Sequence, residues 1–127
     1  MRVLAVKRTP TDSEWVDECY APSDLDRLLP KSDYVVLAIP LTPETDKMIG
    51  EKELRAMKKT AYLINIARSG VVDEKALIKA LQDKEIAGAG LDAVDYSAIN
   101  ISWGVLCNLI PPFLVIRKLS AQVHIAN

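Results

Sequence analysis

The sequence predicts an α/β fold built on a parallel sheet, and three observations support this prediction. Short apolar runs alternate with segments of helical periodicity, which is typical of repeated strand–helix–strand units. The run at residues 62–66 is continuous and β-branched, as expected for a strand that is covered on both faces. Half of the 127 residues are hydrophobic and only 6% are aromatic, the usage of a core built from aliphatic side chains.

The strands and helices can be placed in order along the chain. The predicted strands lie at residues 3–6, 34–39, 61–66 and 87–91, with a weaker candidate edge strand at residues 16–20. Between them we expect a short helix that Ser23 caps and Pro30 ends, a helix at residues 51–58, and a helix at residues 73–84 that Asp73 caps. The last helix has the clearest apolar stripe, at Ala76, Leu77, Ala80 and Leu81.

Charge and cysteine content exclude several classes of protein. Sixteen Lys and Arg against 17 Asp and Glu leave the chain nearly neutral, so neither nucleic acid nor an anionic membrane is an expected partner. Cys19 and Cys107 are far apart and lack metal-ligand spacing, which favours free thiols in a reducing compartment and predicts no metal site. The N-terminus shows no signal-peptide pattern, so cytoplasmic residence is expected.

The C-terminal part of the chain differs from the rest. Helix and strand periods fade after residue 95, and we therefore expect one domain at residues 1–95 and a divergent, unassigned segment at residues 96–127. Residues 101–116 are the most apolar, but two prolines and an asparagine interrupt them. They also fall short of the ~20 residues that span a bilayer, so no membrane segment is predicted.

Arg68 is the most informative single residue. It lies two residues after the apolar run at residues 61–66 and precedes a glycine-bearing turn. In open α/β sheets, ligands bind outside the carboxyl ends of the strands, where a guanidinium can hold a carboxylate through two parallel hydrogen bonds. An arginine that only solvates a turn is the alternative interpretation.

Three blocks of sequence resemble the D-isomer-specific 2-hydroxyacid dehydrogenases, a family that includes phosphoglycerate, glyoxylate/hydroxypyruvate and D-lactate dehydrogenases. The blocks are residues 37–45 (LAIPLTPET), 65–77 (NIARSGVVDEKAL) and 87–92 (AGAGLD). The resemblance covers residues 1 to about 95. It implies an NAD(P)-binding domain with a Rossmann-type parallel sheet, and hydride transfer between nicotinamide and a 2-hydroxy or 2-oxo acid.

The resemblance also implies roles for individual residues. Arg68 would grip the carboxylate and carbonyl of the 2-oxo acid, and Asp92 would accept a hydrogen bond from the carboxamide side of the nicotinamide. The remaining cofactor contacts would come from Pro40, Leu41 and Thr45 on the adenosine and ribose side, and from the backbone of Ile66 and Ala67. Taken alone, Pro40 and Leu41 are also consistent with an ordinary turn, and Thr45 and Asp92 with capping residues.

The end of the first predicted strand bears on the choice of cofactor. An NAD-preferring dinucleotide fold usually places Asp or Glu there to bind the ribose 2′-hydroxyl. This chain has Lys7, Arg8 and Thr9 instead, so Arg8 favours NADP slightly over NAD. Two exposed cations without a ligand are the alternative interpretation.

Several family features are absent. The five glycines, at positions 50, 70, 88, 90 and 104, form no G-x-G-x-x-G turn for the pyrophosphate. We expect the sheet to lack its central strand, which would leave residues 3–6 and 34–39 as neighbours of a gap. Ser69 stands where the family more often has glycine, a change that an ordinary backbone conformation tolerates.

The acid/base machinery also departs from the family pattern. Ser97 occupies the place of the family's glutamate. His124, the only histidine, lies in a segment that faintly resembles the family's catalytic His-Ile-Ala motif, although its distance from Asp92 is too long. His124 is therefore either the catalytic acid/base or an ordinary terminal residue.

Two functional hypotheses follow. The first is an oxidoreductase of this family, in the form of a fragment with little or no activity alone, acting on a 2-hydroxy or 2-oxo acid of unspecified identity. The second is a non-catalytic remnant that associates with an intact relative, since the apolar residues 101–116 would favour association. A homo-oligomer is a further expectation, because the family is typically dimeric.

Overall fold

The computed structural model describes residues 1–11 and 13–92. In these residues the strands are β1 (Leu4–Val6), β2 (Glu18–Tyr20), β3 (Tyr34–Leu37), β4 (Tyr62–Asn65) and β5 (Gly88–Leu91). The helices are α1 (Leu25–Leu28), α2 (Glu51–Ala56) and α3 (Glu74–Gln82), with 3-10 turns at Pro22–Asp24, Leu29–Lys31 and Ser69–Val71. Every predicted strand is present, including the weak candidate that contains Cys19. The predictions for Ser97, Cys107, His124 and residues 96–127 lie outside the described residues.

The strands form two separate parallel sheets. One sheet pairs β1 with β2, and the other has the order β3-β4-β5, so that β4 is central. No β1–β3 pairing joins the sheets, which matches the expectation that these two strands flank a gap. The result is an α/β, Rossmann-like arrangement of parallel strands and helices. We call the two parts the two-stranded sheet and the three-stranded sheet.

One face of the three-stranded sheet carries the core. Strand side chains alternate between faces, and Val35, Leu37 and Leu63 all lie on the side that helices α2 and α3 cover. Ile49 and Leu54 pack there too and are fully buried. The buried hydrophobic residues of the described chain all fall between Leu28 and Ile86, so neither β1 nor β2 contributes one.

The opposite face of the same sheet is uncovered by the described residues. Tyr34, Val36, Tyr62 and Ile66 are 63%, 55%, 45% and 48% exposed, and the two tyrosine rings stack with their centroids 5.8 Å apart. The prediction that the strand at residues 62–66 is covered on both faces is therefore wrong for this part of the chain. The helices that follow β3 and β4 both pack on the other side.

Of the two predicted helix caps, Asp73 is confirmed and Ser23 is wrong. The carboxylate of Asp73 accepts hydrogen bonds from the backbone N–H groups of Lys75 and Ala76, at 3.1 and 3.2 Å, and so caps α3 as expected. The predicted cap at Ser23 is wrong, because the segment begins one residue earlier with a Pro22 turn that no side chain caps. Proline needs no donor partner in a first turn, which makes this start favourable.

Helix α3 ends at Gln82, two residues earlier than the sequence predicts, and Lys84 just beyond its end adopts a left-handed φ of 54°. No helix in residues 1–11 and 13–92 has the length and apolar character needed to cross a membrane.

Candidate functional site

The carboxyl ends of the three-stranded sheet bring three loops together. The register aligns Leu37, Asn65 and Leu91 across the sheet. Just beyond it, the Ile66 N–H donates to the Leu37 carbonyl at 3.1 Å, and the Asp92 N–H donates to the Asn65 carbonyl at 3.0 Å. The segments after β3, β4 and β5 therefore start side by side at one edge, which is where open α/β sheets bind ligands.

Arg68 has a fixed backbone and a free side chain. Its carbonyl accepts hydrogen bonds from the Asn65 side-chain amide at 3.0 Å and from the Val71 N–H at 3.2 Å. Its exposed guanidinium makes no hydrogen bond or ion pair with any residue that the structure describes. An arginine in this state retains all its donors for an anionic ligand.

The buried side chain of Asn65 forms hydrogen bonds to this turn, and the sequence analysis did not assign it a role. It is 1% exposed, and it is the buried polar residue of the described chain. Its Oδ1 accepts from the Ala67 N–H at 3.0 Å, while its Nδ2 donates to the Arg68 carbonyl. The available signal was a polar residue inside an otherwise apolar strand, since a buried amide must be paired.

The loop after β3 is closed by its own threonines. The Thr45 hydroxyl donates to the Pro40 carbonyl at 2.7 Å and accepts from the Thr42 N–H at 2.8 Å. This local pairing agrees with the alternative that Thr45 stabilises a turn, and it leaves the Leu41 side chain 46% exposed at the site edge.

The loop after β3 is also joined to the turn that follows Arg68. The Lys47 N–H donates to the Gly70 carbonyl at 2.7 Å, and the Ile49 N–H donates to the Val71 carbonyl at 3.1 Å. A Cβ on Gly70 would lie 3.0 Å from a Leu41 methyl, so glycine at this position permits the close approach of the two loops. The contact joins two loops whose residues are far apart in the sequence.

Ser69 adopts an ordinary backbone conformation. The non-glycine residues with positive φ in the described chain are Lys47 and Lys84, and Ser69 opens a short 3-10 turn. The substitution of serine for the family's usual glycine is thus tolerated here, as the sequence predicts.

Asp92 completes the edge of the site. It is exposed, its backbone is held by the Asn65 carbonyl, and its carboxylate makes no hydrogen bond or ion pair within the described residues. A carboxylate with free lone pairs at the end of a strand can accept a hydrogen bond from an amide ligand.

The basic residues after β1 lie at the end of the other sheet. The Lys7 ammonium donates to the Thr11 hydroxyl at 3.3 Å, whereas Arg8 and Thr9 are exposed. The pKa of Glu44, in the loop after β3, is lowered chiefly by a hydrogen bond from the Thr42 side chain, and to a smaller extent by its own backbone N–H and by the charge of Arg8. Arg8 is therefore within electrostatic range of the loop that contains Pro40 and Leu41.

Two further predictions concern His124 and a metal site. His124 lies outside the described residues, so its position relative to Arg68 stays a prediction. Within residues 1–11 and 13–92, no group of three His, Cys, Asp or Glu side chains is arranged to hold a metal ion.

Comparison with known proteins identifies the family. The model of the D-isomer specific 2-hydroxyacid dehydrogenase NAD binding domain matches residues 1–116. The chain belongs to this family. The match extends past residue 95, which the sequence suggests as the end of the recognisable domain. A glyoxylate reductase from Thermococcus gammatolerans is 55% identical over 97 residues, which make up 75% of this chain and 28% of that protein. The chain thus spans less than a third of the length of this relative.

Solved structures of the family share the arrangement. A D-isomer specific 2-hydroxyacid dehydrogenase from Xanthobacter autotrophicus Py2, in complex with NADPH and MES, has a TM-score of 0.72 and 38% identity over 79% of this chain and 41% of its own. The NAD-complexed enzyme from Lactobacillus delbrueckii ssp. bulgaricus has a TM-score of 0.66 and 46% identity over 87% of this chain and 34% of its own. Both nicotinamide cofactors thus occur among the structural relatives.

The described residues suit the nicotinamide end of the cofactor better than its pyrophosphate. At the strand edge, exposed Leu41 and Ile66 provide apolar surface beside the free groups of Arg68 and Asp92. These residues fit a flat ring that carries a carboxamide, together with an anionic substrate. The pyrophosphate is a different case, because the sequence contains no glycine-rich turn whose N–H groups would receive it.

Proposed function

We propose that this domain serves an NAD(P)-dependent oxidoreductase of the D-2-hydroxyacid dehydrogenase type, which transfers hydride between nicotinamide and a 2-hydroxy or 2-oxo acid. The observation that carries the proposal is the Arg68 guanidinium, which is free of partners among the described residues and stands on a hydrogen-bonded turn at a strand end. In this role it binds the substrate carboxylate and orients the adjacent carbonyl.

The other site residues have supporting roles in this proposal. Asp92 accepts a hydrogen bond from the nicotinamide carboxamide and so selects the face of the ring that meets the substrate. Ile66 shields the ring from water, Pro40, Leu41 and Thr45 line the adenosine and ribose side of the cofactor, and the backbone of Ala67 lies beside it. The cofactor supplies the hydride, and the protein supplies binding and orientation.

We further propose a preference for NADP over NAD. Support comes from Arg8, with Lys7 and Thr9 beside it, at the strand end where a 2′-phosphate would be bound. Glu44 opposes this preference, because its carboxylate lies within the electrostatic range of Arg8. The expected preference is therefore modest.

We propose that the chain alone has little or no activity. The absence of a glycine-rich turn removes the usual source of pyrophosphate affinity, and Ser97 replaces the glutamate that would hold the catalytic histidine. His124 is the candidate acid/base if the reaction occurs. A cytoplasmic location remains part of the proposal, since Cys19 is a free thiol in the described chain.

The carboxylate-binding role of Arg68 is tested with oxalate, a stable mimic of a 2-oxo acid. We expect Arg68→Gln to weaken oxalate binding, measured by calorimetry, by about tenfold or more, because a charge-assisted pair is lost. The matched control is Arg27→Gln, which removes an exposed guanidinium from α1. Equal weakening by both variants would show that oxalate responds only to net charge.

The inactivity of the isolated chain is tested by following NADPH and NADH absorbance with glyoxylate as substrate. The expected result is no turnover above the rate without protein. Turnover that Arg68→Gln abolishes would overturn the proposed inactivity and support the oxidoreductase function directly.

The second candidate function is non-catalytic association with an intact relative. The uncovered face of the three-stranded sheet favours it, because Tyr34, Val36 and Tyr62 form an exposed apolar patch on a sheet type that is usually covered on both sides. Sedimentation with a purified full-length glyoxylate reductase tests this hypothesis. We expect Val36→Asp to abolish any complex and Trp15→Asp, which changes an exposed apolar residue elsewhere, to leave it intact.

A further inference from the structure

Asn65 differs from every other side chain on the covered face of the three-stranded sheet. It lies in register with Leu37 and Leu91, two residues after Leu63 on β4, in surroundings that are otherwise apolar. An amide in such a place is unfavourable unless its polar atoms are paired. Its pairing therefore shows what it does for the fold.

Both ends of the Asn65 side chain bind the same short turn. Oδ1 accepts the Ala67 N–H at 3.0 Å, and Nδ2 donates to the Arg68 carbonyl at 3.0 Å. The Val71 N–H adds a second bond to that carbonyl at 3.2 Å. Together these bonds hold Arg68 at φ −101° and ψ 150°, and so fix the direction in which its side chain leaves the backbone.

The main chain of Asn65 forms a hydrogen bond to a different part of the site. Its carbonyl accepts the Asp92 N–H at 3.0 Å, which ties the end of β5 to the end of β4. A substitution at Asn65 removes only the side-chain bonds to the turn, because the backbone carbonyl is retained. The effect on Arg68 can therefore be separated from the effect on the sheet.

We propose that Asn65 is the positioning residue for Arg68: its buried amide holds the turn so that the guanidinium is presented in one direction to an anionic ligand. This inference rests on the proposed carboxylate-binding role of Arg68. Asn65 itself touches no ligand, so its contribution is pre-organisation, which reduces the ordering that binding would otherwise require.

Two substitutions separate the parts of this proposal. Asn65→Leu keeps the number and branching of the side-chain heavy atoms, although leucine is larger, and it removes both hydrogen bonds. Asn65→Asp keeps the acceptor for the Ala67 N–H, but at neutral pH it places a carboxylate oxygen against the Arg68 carbonyl. When that introduced carboxyl is protonated, it donates to the same carbonyl and restores the native pattern. Burial raises the pKa of such a group, so protonation occurs within a usable pH range.

The experiment measures oxalate affinity for the wild type, Asn65→Leu, Asn65→Asp and the control Leu63→Ala, between about pH 6 and 8, with urea unfolding of each sample. Leu63 is fully buried on the same strand and face but bonds to no site residue through its side chain. We expect Asn65→Leu to bind oxalate about tenfold more weakly or worse. Asn65→Asp should recover affinity as the pH falls, while folded Leu63→Ala should bind as the wild type does.

A folded Asn65→Leu variant that binds oxalate like the wild type would overturn the proposal, as would an Asn65→Asp variant with no gain at low pH. If the wild type binds no oxalate, or Arg68→Gln binds it equally well, the proposed function fails instead. Positioning is then decided by backbone NMR order parameters for residues 67–71. These should fall in Asn65→Leu from about 0.85 to below about 0.6, and unchanged values would reject the inference.

Discussion

The two sheets of this domain differ in how completely they are built. The three-stranded sheet has a covered face with a continuous core, and the loops at its carboxyl edge are joined by backbone hydrogen bonds. The two-stranded sheet has only half-buried side chains, and its interstrand support includes an exposed ion pair between Arg2 and Glu18. The difference agrees with the general rule that parallel sheets are covered by the helices that connect their strands.

The same difference divides the proposed cofactor site. The side assigned to the nicotinamide and the substrate lies on the well-supported sheet, where the Asn65 side chain holds the turn around Arg68. The side assigned to the ribose phosphate depends on Arg8, an exposed residue at the end of β1. We therefore expect substrate-side contacts to be pre-organised and the choice between NAD and NADP to be weakly determined.

The largest expected effect compares core positions in the two sheets. Leu63→Ala should lower the free energy of unfolding by about 2–5 kcal/mol, because Leu63 is fully buried between β4 and the helices. Leu4→Ala, in the half-buried β1, should cost about 1 kcal/mol. Urea unfolding of both variants measures the difference. Equal losses would contradict the description of the two-stranded sheet as the weaker part.

The next effect compares two helix starts. Asp73→Ala should destabilise the domain by about 0.5–2 kcal/mol, because it removes the acceptor for two N–H groups of α3. Ser23→Ala should change stability by less than about 0.5 kcal/mol, since its side chain caps nothing. Asp73→Asn serves as the control because asparagine caps equally well. A large loss in Ser23→Ala would show that the start of the α1 segment has a capping interaction after all.

A smaller effect concerns cofactor choice at the weaker sheet. Arg8→Ala should reduce NADPH affinity by about two- to fivefold and leave NADH affinity nearly unchanged, because an exposed charge pair contributes little and is screened by salt. Glu44→Gln should shift the ratio in the opposite direction, since it removes the carboxylate near Arg8. Fluorescence titration at low salt measures both ratios. Parallel losses for both cofactors in Arg8→Ala would argue against a 2′-phosphate contact.

The smallest effect is the pH dependence of a surface ion pair between α2 and α3, the helices that cover the three-stranded sheet. A hydrogen bond from Lys79, aided by the charge of Arg55, lowers the pKa of Glu51. The folded state thus favours the charged form, so this stabilisation is present above the ordinary carboxyl pKa of about 4.3 and is lost as the pH falls through the lowered value. Glu51→Gln should therefore be slightly less stable than the wild type at neutral pH.

That small difference in stability should disappear in acid, where residue 51 is uncharged both in the wild type and in Glu51→Gln. Glu14→Gln, which removes an exposed carboxylate from the segment before β2, is the control. A Glu51→Gln deficit that persists at low pH would mean that packing, and not charge, explains it.

The sequence predicted most of the elements because their signals are local. Apolar runs identify the strands, and the side chain of Asp73 precedes its own helix. Ser23 failed as a cap because Pro22 provides an equally local start for a 3-10 turn. The uncovered face could not be predicted, since a continuous apolar run such as residues 62–66 does not specify what packs on either side of the strand.

The candidate site was less predictable from the sequence than the strands and helices were. The positions of Arg68 and Asp92 just after strands were predicted because each comes at the end of an apolar run, and their binding roles stay predictions. Asn65 and Gly70 were missed, because the first acts through a turn that it holds from within the core and the second through a contact with Leu41, 29 positions earlier in the chain. Both roles become visible only when the loops are folded together.

The central claim is that the edge of the three-stranded sheet binds a nicotinamide cofactor. The most direct test is a fluorescence titration of the purified chain with NADPH and with NADH, accompanied by circular dichroism of the same sample. We expect saturable binding by a folded chain that is weaker than binding by a full-length relative, because the sequence lacks the glycine-rich turn, and somewhat tighter for NADPH. A folded chain that binds neither cofactor would contradict it and would favour the non-catalytic alternative.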